Sequence, residues 1–77
     1  MAHTYKIKPL EFVLSDPDFC HAKAGSIVVG RINLSAPYLA KHFSSNRTII
    51  ERSFKKAEKW LDEQHLDYVR EFLEALE

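Results

Sequence analysis

Ser53-Phe54-Lys55-Lys56-Ala57-Glu58-Lys59-Trp60-Leu61-Asp62-Glu63-Gln64-His65-Leu66-Asp67-Tyr68-Val69-Arg70-Glu71-Phe72-Leu73-Glu74-Ala75-Leu76-Glu77 closes the chain, and it decides the fold. No Gly or Pro interrupts it after Ser53. Phe54, Ala57, Leu61, His65, Tyr68, Phe72 and Leu76 recur at spacings of 3, 4, 4, 3, 4 and 4, which is one face of an α-helix. Ser53 is a good N-cap, because its side-chain oxygen can accept from the free amides of the first turn. A helix over residues 54–76 would run about 35 Å at 1.5 Å per residue. That is longer than a small sheet of short strands can cover, so the C-terminal half should overhang, bend or pack on something else. Leu66, Val69, Leu73 and Leu76, spaced 3, 4 and 3, form a second stripe in that half, which reads as a self-association seam.

Upstream of Ser53 the period changes to two. In Tyr5–Ser15, Leu10, Phe12 and Leu14 alternate with Glu11, Val13 and Ser15, which puts three large apolar groups on one face of a strand. Pro9 cannot donate to a ladder, so it marks an edge or the start of regular pairing. Asp16-Pro17-Asp18 is turn chemistry. Phe19–Lys23 reads as a second strand, Ala24-Gly25 as a tight reversal, and Ser26–Leu34 as the third and strongest strand before Ser35-Ala36-Pro37. Tyr38–Phe43 suits either a strand or a helical turn. Ser44-Ser45-Asn46 is a turn, and Thr48-Ile49-Ile50 is a short strand, so a second hairpin is favoured. The expected fold is α+β: an antiparallel sheet of three to five short strands, about residues 5–52, covered on one face by one long C-terminal helix. Leu10, Phe12, Leu14, Ile27, Val29, Leu61, Tyr68 and Phe72 are expected to form much of the core.

The chain has 77 residues, enough for one domain, residues 1–77. A core of this size is marginal, and a single Cys cannot form an intrachain disulfide to support it. Together with the seam, this favours a homodimer. The first residues, Met-Ala-His-Thr-Tyr-Lys, carry no signal-peptide pattern, and no apolar run approaches membrane-spanning length. Cytoplasmic location and no membrane partner are therefore expected, and the Asn33-Leu34-Ser35 and Asn46-Arg47-Thr48 triplets read as chance matches to the glycosylation pattern.

Lys6-Ile7-Lys8-Pro9-Leu10-Glu11-Phe12 resembles the opening of a group of small uncharacterised proteins encoded by bacteriophages and prophages. Phe19, Ala22, Gly25, Ile27 and Val29 resemble the middle of that group's pattern, and Ser53, Phe54 and Ala57 its helix start. Glu58 stands where the group carries Lys. The resemblance implies a sheet-and-helix fold and a viral origin, and it brings no catalytic activity with it.

The residues themselves do not assemble a catalytic pattern. Cys20 and His21 are neighbours on a strand and point to opposite faces, so they cannot hydrogen-bond as a nucleophile pair. His3, His21, His42 and His65 share no metal-ligand spacing, and two glycines cannot build a phosphate loop. No enzyme activity, cofactor or metal is expected.

Net charge is zero, but its distribution is uneven. Residues 1–59 hold ten Lys/Arg against five Asp/Glu, whereas residues 60–77 set Arg70 against Asp62, Glu63, Asp67, Glu71, Glu74 and Glu77. Taken with the family resemblance and the lack of a catalytic pattern, two functional readings are expected. In the favoured one, a non-enzymatic phage or prophage accessory protein binds a host protein as inhibitor or adaptor, with Trp60, Asp67, Glu71 and Glu74 in the contact. In the other, Arg31, Lys41, Arg47, Arg52, Lys55 and Lys56 on the sheet and first helical turn meet nucleic-acid phosphates, with Tyr38 or Trp60 for stacking.

Overall fold

The computed structural model describes residues 8–76. Tyr5–Ile7 of the expected first strand and the terminal acid Glu77 lie outside the described residues. Five strands follow in chain order: β1 (Glu11–Val13), β2 (Phe19–Ala24), β3 (Ile27–Asn33), β4 (Tyr38–His42) and β5 (Arg47–Glu51). They form one meander in the order β1-β2-β3-β4-β5, every neighbour antiparallel. One helix, α1 (Phe54–Leu76), covers one face, lying chiefly on β4 and touching β3 and β5. The arrangement is α+β, with the strands and the helix where the change of period puts them.

Local chemistry explains the corners. The Asp16 carboxylate accepts the Asp18 amide at 2.8 Å, an Asx turn between β1 and β2. That bond, more than any other influence, holds the Asp16 carboxyl below its ordinary pKa. Gly25 turns β2 into β3 at φ 63°, and Asn46 turns β4 into β5 at φ 58°, left-handed positions that Gly and Asn accept most readily. The Ala36–Pro37 bond between β3 and β4 is cis. Tyr38–His42 is a strand, because Tyr38, Ala40 and His42 alternate inward while Leu39 and Lys41 point to the other face. At the helix start, the Lys56 amide donates to Ser53 Oγ at 3.4 Å and the Ala57 amide to the Ser53 carbonyl at 3.1 Å.

The core consists of Leu10, Cys20, Ala22, Val29, Ile32, Ala40, Ala57 and Leu61, with Phe12, Tyr38, Ile49, Phe54 and Trp60 packed around it. Cys20, Ala22, Gly30 and Ala40 give the covered face a shallow floor, so the helix comes close enough to seat Leu61 on Gly30. Burial, and secondarily the Glu58 charge, pushes the Cys20 thiol up in pKa. Tyr38 and Phe54 meet edge to face at 5.5 Å between centroids, closing the core at the helix start.

Half of the expected core is not core. Leu14 is 67% exposed because β1 ends at Val13 and leaves it past the paired region. Ile27 is 66% exposed, paired with Ala24 at the tip of the β2–β3 hairpin. Tyr68 and Phe72 are 39% and 58% exposed because the sheet ends before the helix does. The molecule accordingly measures 46 × 22 × 18 Å. Periodicity says which side of an element is apolar; it does not say how far the opposing layer extends.

Candidate protein-docking surface

Leu61 is the last fully buried residue of α1, and the helix continues about 22 Å beyond it. Three ties fix its direction at that point. The Leu10 amide donates to Asp62 Oδ1 at 2.9 Å from the β1 side. Arg47 Nη1 donates to Gln64 Oε1 at 3.2 Å from β5. His42 on β4 meets His65, Nε2 to Nδ1, at 3.2 Å.

The histidine junction is specific in its protonation. The Ser45 amide donates to His42 Nδ1 at 3.3 Å, and Ser45 Oγ lies 2.7 Å from the same atom. Nδ1 is thus an acceptor, so the neutral His42 ring carries its proton on Nε2 and donates to His65 Nδ1. Tyr68 closes the other side, its ring 5.4 Å from that of His42. Burial holds the pKa of His42 down, with the charges of His65 and Arg47 adding to it; burial also lowers His65, against the opposing pull of Asp62. Both folded values lie below the ordinary imidazole value of about 6.5, so the unfolded chain binds more protons as pH falls through it. Stability from this junction is therefore complete above pH 6.5 and is lost below it. The thermal midpoint should fall between about pH 7.5 and pH 5, with a slope of at most about 1.4 kcal/mol per pH unit for each histidine. A His42→Gln variant should flatten the profile. A wild-type midpoint that is flat or rising on acidification contradicts the assignment.

Beyond the junction, Tyr68, Phe72 and Leu76 continue the core face of the helix at intervals of four, 39%, 58% and 70% exposed. Among the described residues no side-chain hydrogen bond is made by the helix after His65. Of the expected seam, Leu66, Val69 and Leu73 are half-buried and only Leu76 stands open. The exposed apolar stripe is thus the continuation of the core face, displaced around the helix from the seam. Asp67, Glu71 and Glu74 are exposed and share one flank with Trp60, at spacings of 7, 4 and 3. Trp60 itself is partly buried against the core, so it begins that flank without joining the open end.

The basic residues divide between surfaces. His21, Arg31, Lys41 and Thr48 stand opposite one another in successive strands and form a row across the face that the helix leaves uncovered. The Arg31 guanidinium lies 4.5 Å over the Phe19 ring on this face. Leu39 and Ile50, paired across β4 and β5, are 44% and 65% exposed beside the row. Arg47 faces the helix side, while Arg52, Lys55 and Lys56 surround the helix start. Tyr38 and Trp60, expected as stacking groups, pack against the core; Phe19, under Arg31, is an aromatic on the open face. The signal for Leu39 and Ile50 was available, since each alternates with an inward neighbour, Ala40 and Ile49.

Cys20 is buried under the helix and His21 faces away from it, 3.5 Å from Asp16, so they form no nucleophile pair. Among the described residues no group of three His, Cys, Asp or Glu side chains is placed to hold a metal ion. No helix among the described residues is long and apolar enough to cross a membrane. Comparison of the chain with protein-family models, curated proteins and solved structures finds no match.

Proposed function

We propose that the chain is a non-enzymatic protein-binding module, a phage or prophage accessory protein that acts in the host cytoplasm on a host protein, as inhibitor or adaptor. The observation that carries this reading is the open stripe of Tyr68, Phe72 and Leu76 on a helix that outruns its sheet, flanked by Asp67, Glu71 and Glu74. An isolated helical end of this length is marginal in water and gains little from packing on its own domain. Large apolar groups at intervals of four with a charged flank are the anchors by which a helix enters an apolar groove. The matching partner surface is an apolar groove with a basic rim. The viral resemblance at Lys6–Phe12 supports an accessory role on a host target.

The nucleic-acid reading rests on one feature, the uncovered row with Arg31 over Phe19 and Lys41 beside it. It does not draw on Arg47, whose guanidinium is engaged with Gln64. Both readings are separated by capture on the immobilised chain from bacterial lysate, with and without nuclease, using wild type and Phe72→Asp. The protein-binding reading expects a protein retained after nuclease and reduced at least about tenfold by Phe72→Asp, a loss of about 1.4 kcal/mol. Circular dichroism should be unchanged, since Phe72 is 58% exposed and is not among the buried core residues. Nucleic acid captured equally by both chains, lost on nuclease treatment and released steeply by salt, would overturn it.

A further inference from the structure

Resting on the reading of the helix end as a protein-docking surface, we infer that one partner is a second copy of this chain, whose uncovered sheet face receives the helix end. The two surfaces have opposite charge and the same apolar character. The helix end offers Tyr68, Phe72 and Leu76 with Asp67, Glu71 and Glu74 alongside. The uncovered face offers Leu39 and Ile50 with Arg31 and Lys41 alongside. Leu39 and Ile50 form an exposed apolar pair for which the fold of one chain has no use.

The geometry closes. The overhanging stripe continues the face of α1 that lies on its own sheet, so it looks towards the layer in which that sheet ends. A two-fold axis in that layer, perpendicular to the helix, turns a second chain over and slides its sheet beneath the overhang with the uncovered face upward. The same rotation puts the second helix end beneath the first sheet. Each sheet then carries its own helix on one face and its partner's on the other. The contact is reciprocal and ends at two copies, so it does not propagate into fibres. Past His65, its last side-chain tie to the sheet, the helix runs about 17 Å to Leu76, close to the roughly 17 Å length of a five-residue strand. Helix-to-helix pairing is the poorer solution. Leu66, Val69 and Leu73 are half-buried, and Asp67, Glu71 and Glu74 on one flank would face their own copies.

Sedimentation of the full chain at tens of micromolar tests this. Wild type should be a dimer, and Phe72→Asp and Ile50→Asp should each be a folded monomer. Mixed in equal amounts, the two variants should form a heterodimer, because one of its two contacts is then entirely wild type. If either aspartate variant loses its circular dichroism, Phe72→Ser and Ile50→Ser replace it. A wild-type monomer overturns the inference; if Phe72→Asp still abolishes capture of a protein from lysate, the docking reading survives it. A dimer that persists in Ile50→Asp overturns it in favour of helix pairing. Two monomeric variants that fail to complement each other overturn the reciprocal arrangement.

Discussion

Leu61→Ala is expected to leave the chain largely unfolded near room temperature. Leu61 is fully buried and is the one large side chain that α1 drives into the centre of the sheet. Its methyl groups rest on Gly30, with Ala22, Ile32 and Ala40 in the same cluster. Leu→Ala at such a site costs about 2–5 kcal/mol, as lost transfer energy plus the cavity left behind. The upper part of that range applies, because the small residues of the floor have no side chains with which to fill the hole. A domain of this size sits near the lower limit of about 5 kcal/mol total stability. Urea titration followed by circular dichroism measures the loss. A midpoint within experimental scatter of wild type would mean that the helix is not held at Leu61.

Gly30→Ala is the second large effect, and it acts through space rather than backbone conformation. A Cβ on Gly30 would stand 2.5 Å from the Lys41 carbonyl oxygen and 2.8 Å from Leu61 Cδ1. Leu61 could rotate, but the carbonyl belongs to the neighbouring strand and moves only with it. Overpacking of this kind costs typically 1–3 kcal/mol and more when backbone must shift. The β3–β4 pairing of Gly30 with His42 would open, and with it the His42–His65 junction one residue pair away from the helix exit. Gly30→Ala should therefore lower the urea midpoint by more than half and weaken the acid dependence of what folded protein remains. Gly25→Ala is the control: its site has open space around it, so only its φ of 63° is penalised, by about 1 kcal/mol. Equal losses at the two glycines would contradict the close seat of Leu61 on β3.

The elements were largely legible because their signals are local. The absence of Gly and Pro after Ser53 and the spacing of Phe54, Ala57 and Leu61 define the helix without reference to anything else. Gly25 and Asn46 mark the hairpins by residue type alone. The strand at Tyr38–His42 was ambiguous because Leu39 and Tyr38 are both large and apolar; only the register against β5 assigns them to opposite faces.

What failed was whatever depends on two distant segments at once. Ile27 reads as core because its strand is apolar, yet the register shifts between Ala22 and Lys23, leaving Val29 as the extra, buried residue and Ile27 at the tip. Tyr68 and Phe72 read as core because the stripe is continuous; the helix length against short strands does announce an overhang, but not the turn at which it begins. The His42–His65 bond joins residues 23 positions apart, and neither histidine has a spacing that announces the other. The hint was that His42 falls on the inward alternation of β4 and His65 on the inward stripe of α1, which makes them neighbours once the helix is laid on β4. The separation of the basic residues was similarly hidden: Arg31 and Lys41 share a face with each other but not with Arg47.

The account stands on the claim that the end of α1 is a docking surface for protein. Site-specific photo-crosslinking inside bacterial cells tests it most directly, with a photoreactive phenylalanine at position 72 and a second chain carrying it at Lys55 on the helix start. The account predicts discrete protein adducts at position 72, either a second copy of the chain or a host protein, that are absent at position 55. Position 72 giving no protein adduct, or the same adducts as position 55, would contradict it.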